Sequence, residues 1–96
     1  MTTEFLVVTT SRFDRELTKL AARHSTLPEF YRQAIDVLKI DPYNRSHQHA
    51  IKKLRGVPTG DGQYRIRVAR FRFRYDIENQ TVYLKACSLR REDTYR

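Results

Sequence analysis

The segment from Tyr64 to Tyr75 constrains the fold of this chain more than any other. Apolar residues alternate with arginines along it, in the order Tyr-Arg-Ile-Arg-Val-Ala-Arg-Phe-Arg-Phe-Arg-Tyr. A period of two places successive side chains on opposite faces of a β-strand. The segment therefore predicts a sheet with one apolar face and one cationic face.

A tight reversal at residues 69–70 would make this segment a hairpin. Two pairs of like charges would then lie directly across from each other: Arg67 with Arg72, and Arg65 with Arg74. Like charges in this position lower stability, so we interpret the arginines as an anion-binding surface rather than as a solvated strand face. Because a two-residue turn usually contains Gly, Asn or Asp, one unbroken strand through the segment is the alternative.

The net charge of +8 lies almost entirely in the second half of the 96-residue chain. Residues 1–51 carry 7 Lys and Arg against 6 Asp and Glu, and residues 52–96 carry 12 against 5, which gives +1 and +7. A basic half on a small protein favours phosphate-rich partners such as nucleic acid. The length predicts one domain over residues 1–96.

Other classes of protein find little support in the sequence. No apolar stretch is long enough for a signal peptide or a membrane span, so we expect no membrane partner. We interpret the single Cys87 as a small core residue of a cytoplasmic protein, because it has no disulfide partner. His47 and His49 lack a third ligand, so no metal site and no cofactor are predicted.

The rest of the sequence predicts two helices and the remaining strands. The elements are a strand over Glu4–Thr9, a helix from a cap at Ser11 to about Arg23, a helix from a capping box at Thr26 to just before Asp41, and strands over Gln63–Val68, Phe71–Ile77 and Thr81–Leu89. Residues 40–62 read as a long loop, with a short strand near 51–54 as an open possibility. The helices carry two apolar stripes for the core: Phe13, Leu17, Leu20 and Ala21, and then Tyr31, Ala34, Ile35 and Leu38.

A turn at Asn79 brings the last strand against the hairpin. The expected partners of Tyr75, Phe73 and Phe71 are Val82, Leu84 and Ala86, respectively. This register places Tyr83 and Lys85 on the arginine-bearing side of the sheet, with Lys85 close to Arg72.

Four pieces of the second half occur in a characteristic order and spacing: Lys53-Leu-Arg-Gly56, Gln63-Tyr-Arg-Ile-Arg67, Phe71-Arg-Phe-Arg-Tyr75 and the tail Arg90-Arg-Glu-Asp-Thr-Tyr-Arg96. In these pieces the chain resembles the RelE/ParE superfamily of toxins from bacterial type II toxin–antitoxin pairs. The resemblance implies an α+β fold, with two N-terminal helices packed on one face of a small, mainly antiparallel four-stranded sheet. It further implies that a small acidic antitoxin is a partner. It also implies that the protein binds mRNA and ribosomal RNA in the ribosomal A site and cleaves the mRNA there.

The same resemblance assigns roles to individual residues. The catalytic positions are Arg65 and Arg67, where the RelE branch has two lysines, then Arg72, Arg91 or its neighbour Arg90, and Tyr95, which matches a tyrosine that stacks on a substrate base. Stacking is what an aromatic ring offers to an unpaired base.

Metal-free RNA cleavage uses the 2′-hydroxyl as nucleophile, and the enzyme must stabilise the phosphorane. Guanidinium groups stay charged and grip phosphate oxygens with parallel hydrogen bonds, which favours Arg67 and Arg72 as a clamp that Arg65 and Arg74 extend. An arginine practically cannot act as the general base, because it does not give up its proton. Lys85 is the one amine that the pattern brings to this face, and it is our candidate base.

The basic run of Lys52, Lys53 and Arg55 has two interpretations, as a solvated loop or as contacts to the RNA backbone, to which Arg74 and Arg90 would add. Two other functions remain open at this point. One is a ParE-like inhibitor of DNA gyrase, and the other is a basic nucleic-acid-binding protein without catalysis.

Overall fold

The computed structural model describes residues 4–90, which form two helices and five strands. In chain order these are β1 (Leu6–Thr9), α1 (Ser11–Ala21), α2 (Leu27–Ile40), β2 (Ile51–Lys53), β3 (Tyr64–Val68), β4 (Phe71–Glu78) and β5 (Thr81–Leu89). The strands make one sheet in the order β1-β5-β4-β3-β2, in which β1 and β5 are parallel and the other pairs antiparallel. The predicted α+β class is confirmed. The sheet has five strands rather than four, because β1 and the short β2 both join it.

The two helices pack on the apolar face of the sheet. Their predicted stripes are buried or partly buried against the core: Phe13, Leu17, Leu20, Ala21, Tyr31, Ala34, Ile35 and Leu38. The rings of Phe13 and Tyr31 lie 6.3 and 5.9 Å from the ring of Phe73, which joins both helices to β4. Full burial of one such side chain contributes about 1.5–3 kcal/mol. The helices therefore cover one face and leave the other to solvent.

The first helix begins one residue earlier than predicted, because Thr10 rather than Ser11 is its cap. The Thr10 hydroxyl accepts a hydrogen bond from the Phe13 amide at 3.3 Å and donates one to the Leu84 carbonyl at 2.9 Å. One side chain thus satisfies a helix end and attaches α1 to β5.

The second helix lacks the predicted capping box. Thr26 has helical dihedral angles, φ −84° and ψ −11°, and its side chain makes no capping hydrogen bond. A cap residue needs an extended backbone to turn its oxygen toward the first amides, so the box is wrong here. Pro28 lies in the first turn instead, where its missing N–H costs nothing.

The predicted hairpin is confirmed, and with it the arginine pairing. Arg67 lies opposite Arg72, and Arg65 opposite Arg74. The turn contains Ala69 at φ 56°, a left-handed conformation that costs an alanine roughly 1 kcal/mol. The strand alternation and the core it builds evidently outweigh this local strain.

The last strand pairs in a different register from the predicted one. The observed pairs are Tyr75 with Leu84, Phe73 with Cys87, and Phe71 with Leu89. The difference has two causes. The turn is centred on residues 79–80, and Lys85 is one extra residue on β5 that shifts the pairing between Tyr75 and Arg74. Such an insertion is a β-bulge. Ser88, rather than Lys85, therefore lies opposite Arg72.

The outer edge of β5 is covered in two different ways. Strand β1 pairs only with residues 81–84, and helix α1 lies against the rest. There the Glu16 carboxylate accepts a hydrogen bond from the Cys87 amide at 2.8 Å. Burial, with a smaller effect of Glu16, raises the pKa of the Cys87 thiol to about 12, so this core thiol stays protonated.

The loop after α2 is tied together by its own side chains. The Asp41 carboxylate accepts hydrogen bonds from the Arg45 amide at 2.8 Å and from the Ser46 hydroxyl at 2.6 Å. Partial burial raises the pKa of Asp41, but these hydrogen bonds outweigh it and hold that pKa below its usual value. The Asn44 side chain bonds the backbone of His49 at both of its polar atoms, at 3.0 and 3.1 Å. The segment predicted to be loosest is thus ordered locally.

Candidate nucleic-acid interface

The sheet face away from the helices carries the predicted cations, and we call it the arginine face: Lys52, Arg65, Arg67, Arg72 and Arg74. Residues paired across strands share a face, so Lys52, Arg65 and Arg74 form a row across three strands. Arg67 and Arg72 form a second row beside the hairpin turn. The two rows are about 7 Å apart, which is two residues of strand.

Arg67 and Arg72 occupy the kind of strand pair in which side chains come closest. The Arg67 amide donates to the Ala50 carbonyl at 3.0 Å, on the side away from β4, so its pair with Arg72 is not hydrogen-bonded. In such pairs the Cβ atoms lie about 4.5–5.5 Å apart. Two arginine side chains therefore leave the sheet side by side at this point.

Nothing in residues 4–90 neutralises this pair. Neither Arg67 nor Arg72 forms a salt bridge within that range. The Arg72 Nε is buried and has no hydrogen-bond partner there. A buried N–H without a partner costs about 1–3 kcal/mol, and the repulsion between like charges adds to that. The arrangement is complementary to an anion with several oxygen atoms.

Arg74 has a different environment, because its guanidinium is bound to the loop before β3. Its Nε donates to the Gly62 carbonyl at 3.1 Å, and its Nη2 donates to the Asp61 carbonyl at 2.8 Å. A Cβ on residue 62 would lie 3.0 Å from the Arg74 Cβ, and φ at this position is 83°. Glycine at 62 thus permits the loop to lie directly against the arginine.

Asp76 helps to shape this site, and the sequence did not predict it. It is 6% exposed, and it accepts hydrogen bonds from the amides of Gly62 and Gln63 at 3.0 and 2.9 Å. The one sequence feature that sets Asp76 apart is an acidic residue inside a strand of arginines and aromatic residues. Arg74 and Asp76 together fix the loop over one end of the arginine face.

Three of the predicted RNA-binding residues lie away from the two rows. Lys53 is on the other face, with Nζ 5.7 Å from the centre of the Tyr64 ring, because its neighbour Lys52 takes the arginine face. Arg55 is exposed in the turn after β2. Arg90 is exposed beside the hairpin turn, where its amide donates to the Arg70 carbonyl at 2.6 Å.

The remaining predicted catalytic residues are only partly located. Lys85 lies in the bulge of β5, with Nζ 5.7 Å from the centre of the Tyr83 ring, and not opposite Arg72 as expected. Arg91 and Tyr95 lie outside the described residues.

Within residues 4–90 no three His, Cys, Asp or Glu side chains group to hold a metal ion. His49 Nε2 lies 3.8 Å from an Asp41 carboxylate oxygen, inside the loop described above. Neither helix of that range has the length and apolar composition needed to cross a membrane.

Comparisons with known proteins find a likeness in structure but not in sequence families. No protein-family model matches the chain, and no curated protein sequence does. Among solved structures, the chain is similar to a chain of the RelBE2 toxin–antitoxin complex from Mycobacterium tuberculosis. The two are 24% identical with a TM-score of 0.57, over 91% of this chain and 99% of that chain. The predicted RelE-like architecture is thereby confirmed as a fold.

Proposed function

We propose that this protein is the toxin of a type II toxin–antitoxin pair and a ribosome-dependent endoribonuclease that cleaves mRNA in the cytoplasm. The observation that carries the proposal is the Arg67–Arg72 pair, two arginines directly opposite each other that form no salt bridge within residues 4–90. The fold shared with a chain of a toxin–antitoxin complex supports the same conclusion.

The reaction needs no metal ion. The 2′-oxygen attacks the adjacent phosphorus and gives its proton to a base, and the bond from phosphorus to the 5′-oxygen breaks as that oxygen takes up a proton. The products are a 2′,3′-cyclic phosphate and a 5′-hydroxyl. Charge grows on the non-bridging oxygens in the transition state, and fixed guanidinium groups stabilise that charge most where water is excluded.

In this proposal the residues of the arginine face divide the work. Arg67 and Arg72 hold the oxygens of the scissile phosphate. Arg65 and Lys52 bind flanking phosphates, which orients the strand without reading its sequence. Arg74 adds its positive charge to this binding of flanking phosphates while its side chain holds the loop.

The remaining catalytic roles in this proposal are assigned from the sequence. Lys85 stays a predicted base, although the argument from a neighbouring Arg72 no longer applies, since Ser88 lies there. Arg91, or Arg90, and Tyr95 stay predicted as the tail cation and the base-stacking ring.

The partners follow from charge. A small acidic antitoxin would neutralise a surface of this sign, and a flexible segment that orders on binding suits a surface that spans several strands. The net charge of +8 favours rapid association with both such a protein and ribosomal RNA.

The test is induced expression in bacteria followed by mapping of mRNA 5′ ends. We expect new ends in translated messages, phased with the reading frame, and a 5′-hydroxyl on each downstream fragment. The Arg67→Gln/Arg72→Gln variant should give far fewer of them. Loss of DNA supercoiling with intact mRNA would contradict the proposal in favour of a gyrase inhibitor, and RNA binding without new ends would leave a non-catalytic protein.

A further inference from the structure

Ser88 lies beside the arginine pair, on the neighbouring strand. Its side chain points to the arginine face, because Cys87 and Leu89 on either side of it pack toward the core. Strand pairing places Ser88 directly opposite Arg72. Arg67, Arg72 and Ser88 therefore form one row across β3, β4 and β5.

Ser88 is open to solvent although it stands next to a long side chain. It is the one exposed residue of β5, and the rest of that strand is buried or half-buried. Arg72 therefore leaves the serine uncovered. A group that approaches Arg72 from the β5 side passes over the Ser88 hydroxyl.

The burial of the Arg72 Nε keeps that side chain close to the surface of the sheet. An arginine stretched out into solvent would expose this atom to water. Adjacent strands are about 4.8 Å apart, so the base of the Arg72 guanidinium lies within the range of a short side chain on β5. A single phosphate can therefore meet both groups.

The backbone on both sides of Ser88 is held in place. The Cys87 amide donates to the Glu16 carboxylate at 2.8 Å, and the Arg90 amide donates to the Arg70 carbonyl at 2.6 Å. The first bond attaches this part of the chain to α1, and the second attaches it to the hairpin turn. A donor on a fixed backbone needs no rearrangement when charge develops on a substrate.

We propose that the Ser88 hydroxyl binds a non-bridging oxygen of the scissile phosphate and stabilises the phosphorane together with Arg67 and Arg72. The inference rests on the proposed function, because it adds a catalytic residue to the same reaction. A hydroxyl donates one hydrogen bond, which strengthens as its acceptor becomes more negative. It also carries no charge, so it adds a third donor without adding to the repulsion between the two arginines.

The experiment measures single-turnover cleavage of ribosome-bound mRNA by the wild-type protein and by three variants. Ser88→Ala should cleave about 10- to 100-fold more slowly, because it loses a hydrogen bond to a charged group, and its unfolding by urea should match that of the wild type. Ser88→Thr keeps a hydroxyl and should restore most of the rate. Ser25→Ala is the matched control and should cleave like the wild type, because Ser25 is exposed in the turn between the helices, on the other side of the sheet.

A sulfur substitution at the scissile phosphate separates a contact with the substrate from a structural role. Sulfur accepts hydrogen bonds weakly, so the wild-type protein should cleave one of the two phosphorothioate diastereomers more slowly than the normal phosphate. For that diastereomer Ser88→Ala should show a smaller slowing, because the contact is already absent. Each comparison is made within one protein, so it holds even if the variant is less stable.

Equal rates for the wild type and Ser88→Ala on normal mRNA would overturn the role of Ser88 and leave the nuclease intact. An equal slowing by sulfur in both proteins would overturn it as well, since the rate loss would then come from elsewhere. No cleavage by the wild-type protein would overturn the proposed function and this inference with it.

Discussion

Arg72 and Arg74 lie two residues apart on the same strand and the same face, but their surroundings differ. Arg74 donates two hydrogen bonds to loop carbonyls, so its guanidinium holds the loop in place. Arg72 has a buried Nε without a partner in residues 4–90 and another arginine directly opposite. The difference separates a residue that stabilises the fold from one that the fold tolerates.

The largest expected effect is on activity at the hairpin end. Arg67→Gln/Arg72→Gln should lower the rate of mRNA cleavage by about 100-fold or more, because each donor stabilises charge that develops only in the transition state. The unfolding free energy should stay the same or rise, since the substitution removes a like-charge pair.

Cleavage assays and urea unfolding measure the two quantities on the same preparations. Arg15→Gln/Arg32→Gln is the control, because it removes two exposed helix arginines from the other side of the sheet. Equal loss of activity in both double variants would mean that net charge, rather than this site, matters.

The second effect concerns the loop end. Asp76→Ala should lower the unfolding free energy by about 2–3 kcal/mol, since it leaves the buried Gly62 amide and the partly buried Gln63 amide without their acceptor. Urea unfolding measures the loss of unfolding free energy. Hydrogen exchange at the Gly62 and Gln63 amides shows whether these two amides lose their protection. Unchanged protection of those amides would refute the assigned role of Asp76.

A smaller effect compares the two arginines directly. Arg74→Gln should lower the unfolding free energy by about 1 kcal/mol, because two hydrogen bonds of a partly exposed group are lost. Arg72→Gln should not lower it. If the two single variants lose the same stability, the contrast between the positions disappears.

The smallest effect lies outside the sheet and depends on pH. The pKa of Asp41 is lower in the folded protein, so its carboxylate stabilises the fold above the ordinary pKa, and this contribution is lost as pH falls through the folded value. Between about pH 5 and pH 3, Asp41→Asn should therefore lose less stability than the wild type does. Urea titrations at several pH values measure this slope. A slope in Asp41→Asn equal to that of the wild type would contradict the assigned role of this carboxylate.

The sequence was sufficient where one local pattern decided the outcome. The arginine alternation predicted the hairpin and its pairing, and the apolar stripes predicted the helix faces, because period alone determines which side chains share a face. It was insufficient where two distant segments decide together. The bulge at Lys85 and the loop contacts of Asp76 each depend on packing between strands, and neither leaves a local signature in composition.

The positions of the predicted site residues show the same division. Arg67 and Arg72 come together as the pattern predicted, whereas Lys53 lies on the helix side because a three-residue strand alternates like any other. A basic run in the sequence does not become a basic patch when the chain through it is extended.

The hydrogen bond from the Cys87 amide to Glu16 has a consequence for solubility. Beyond residue 84, β5 would offer bare amides to any passing strand, and such edges are where sheets of separate molecules join and aggregate. The helix glutamate fills one of those positions with a group that no incoming backbone displaces easily. Helix α1 thereby leaves fewer free hydrogen-bonding positions on this strand for the edge of a second copy of the chain.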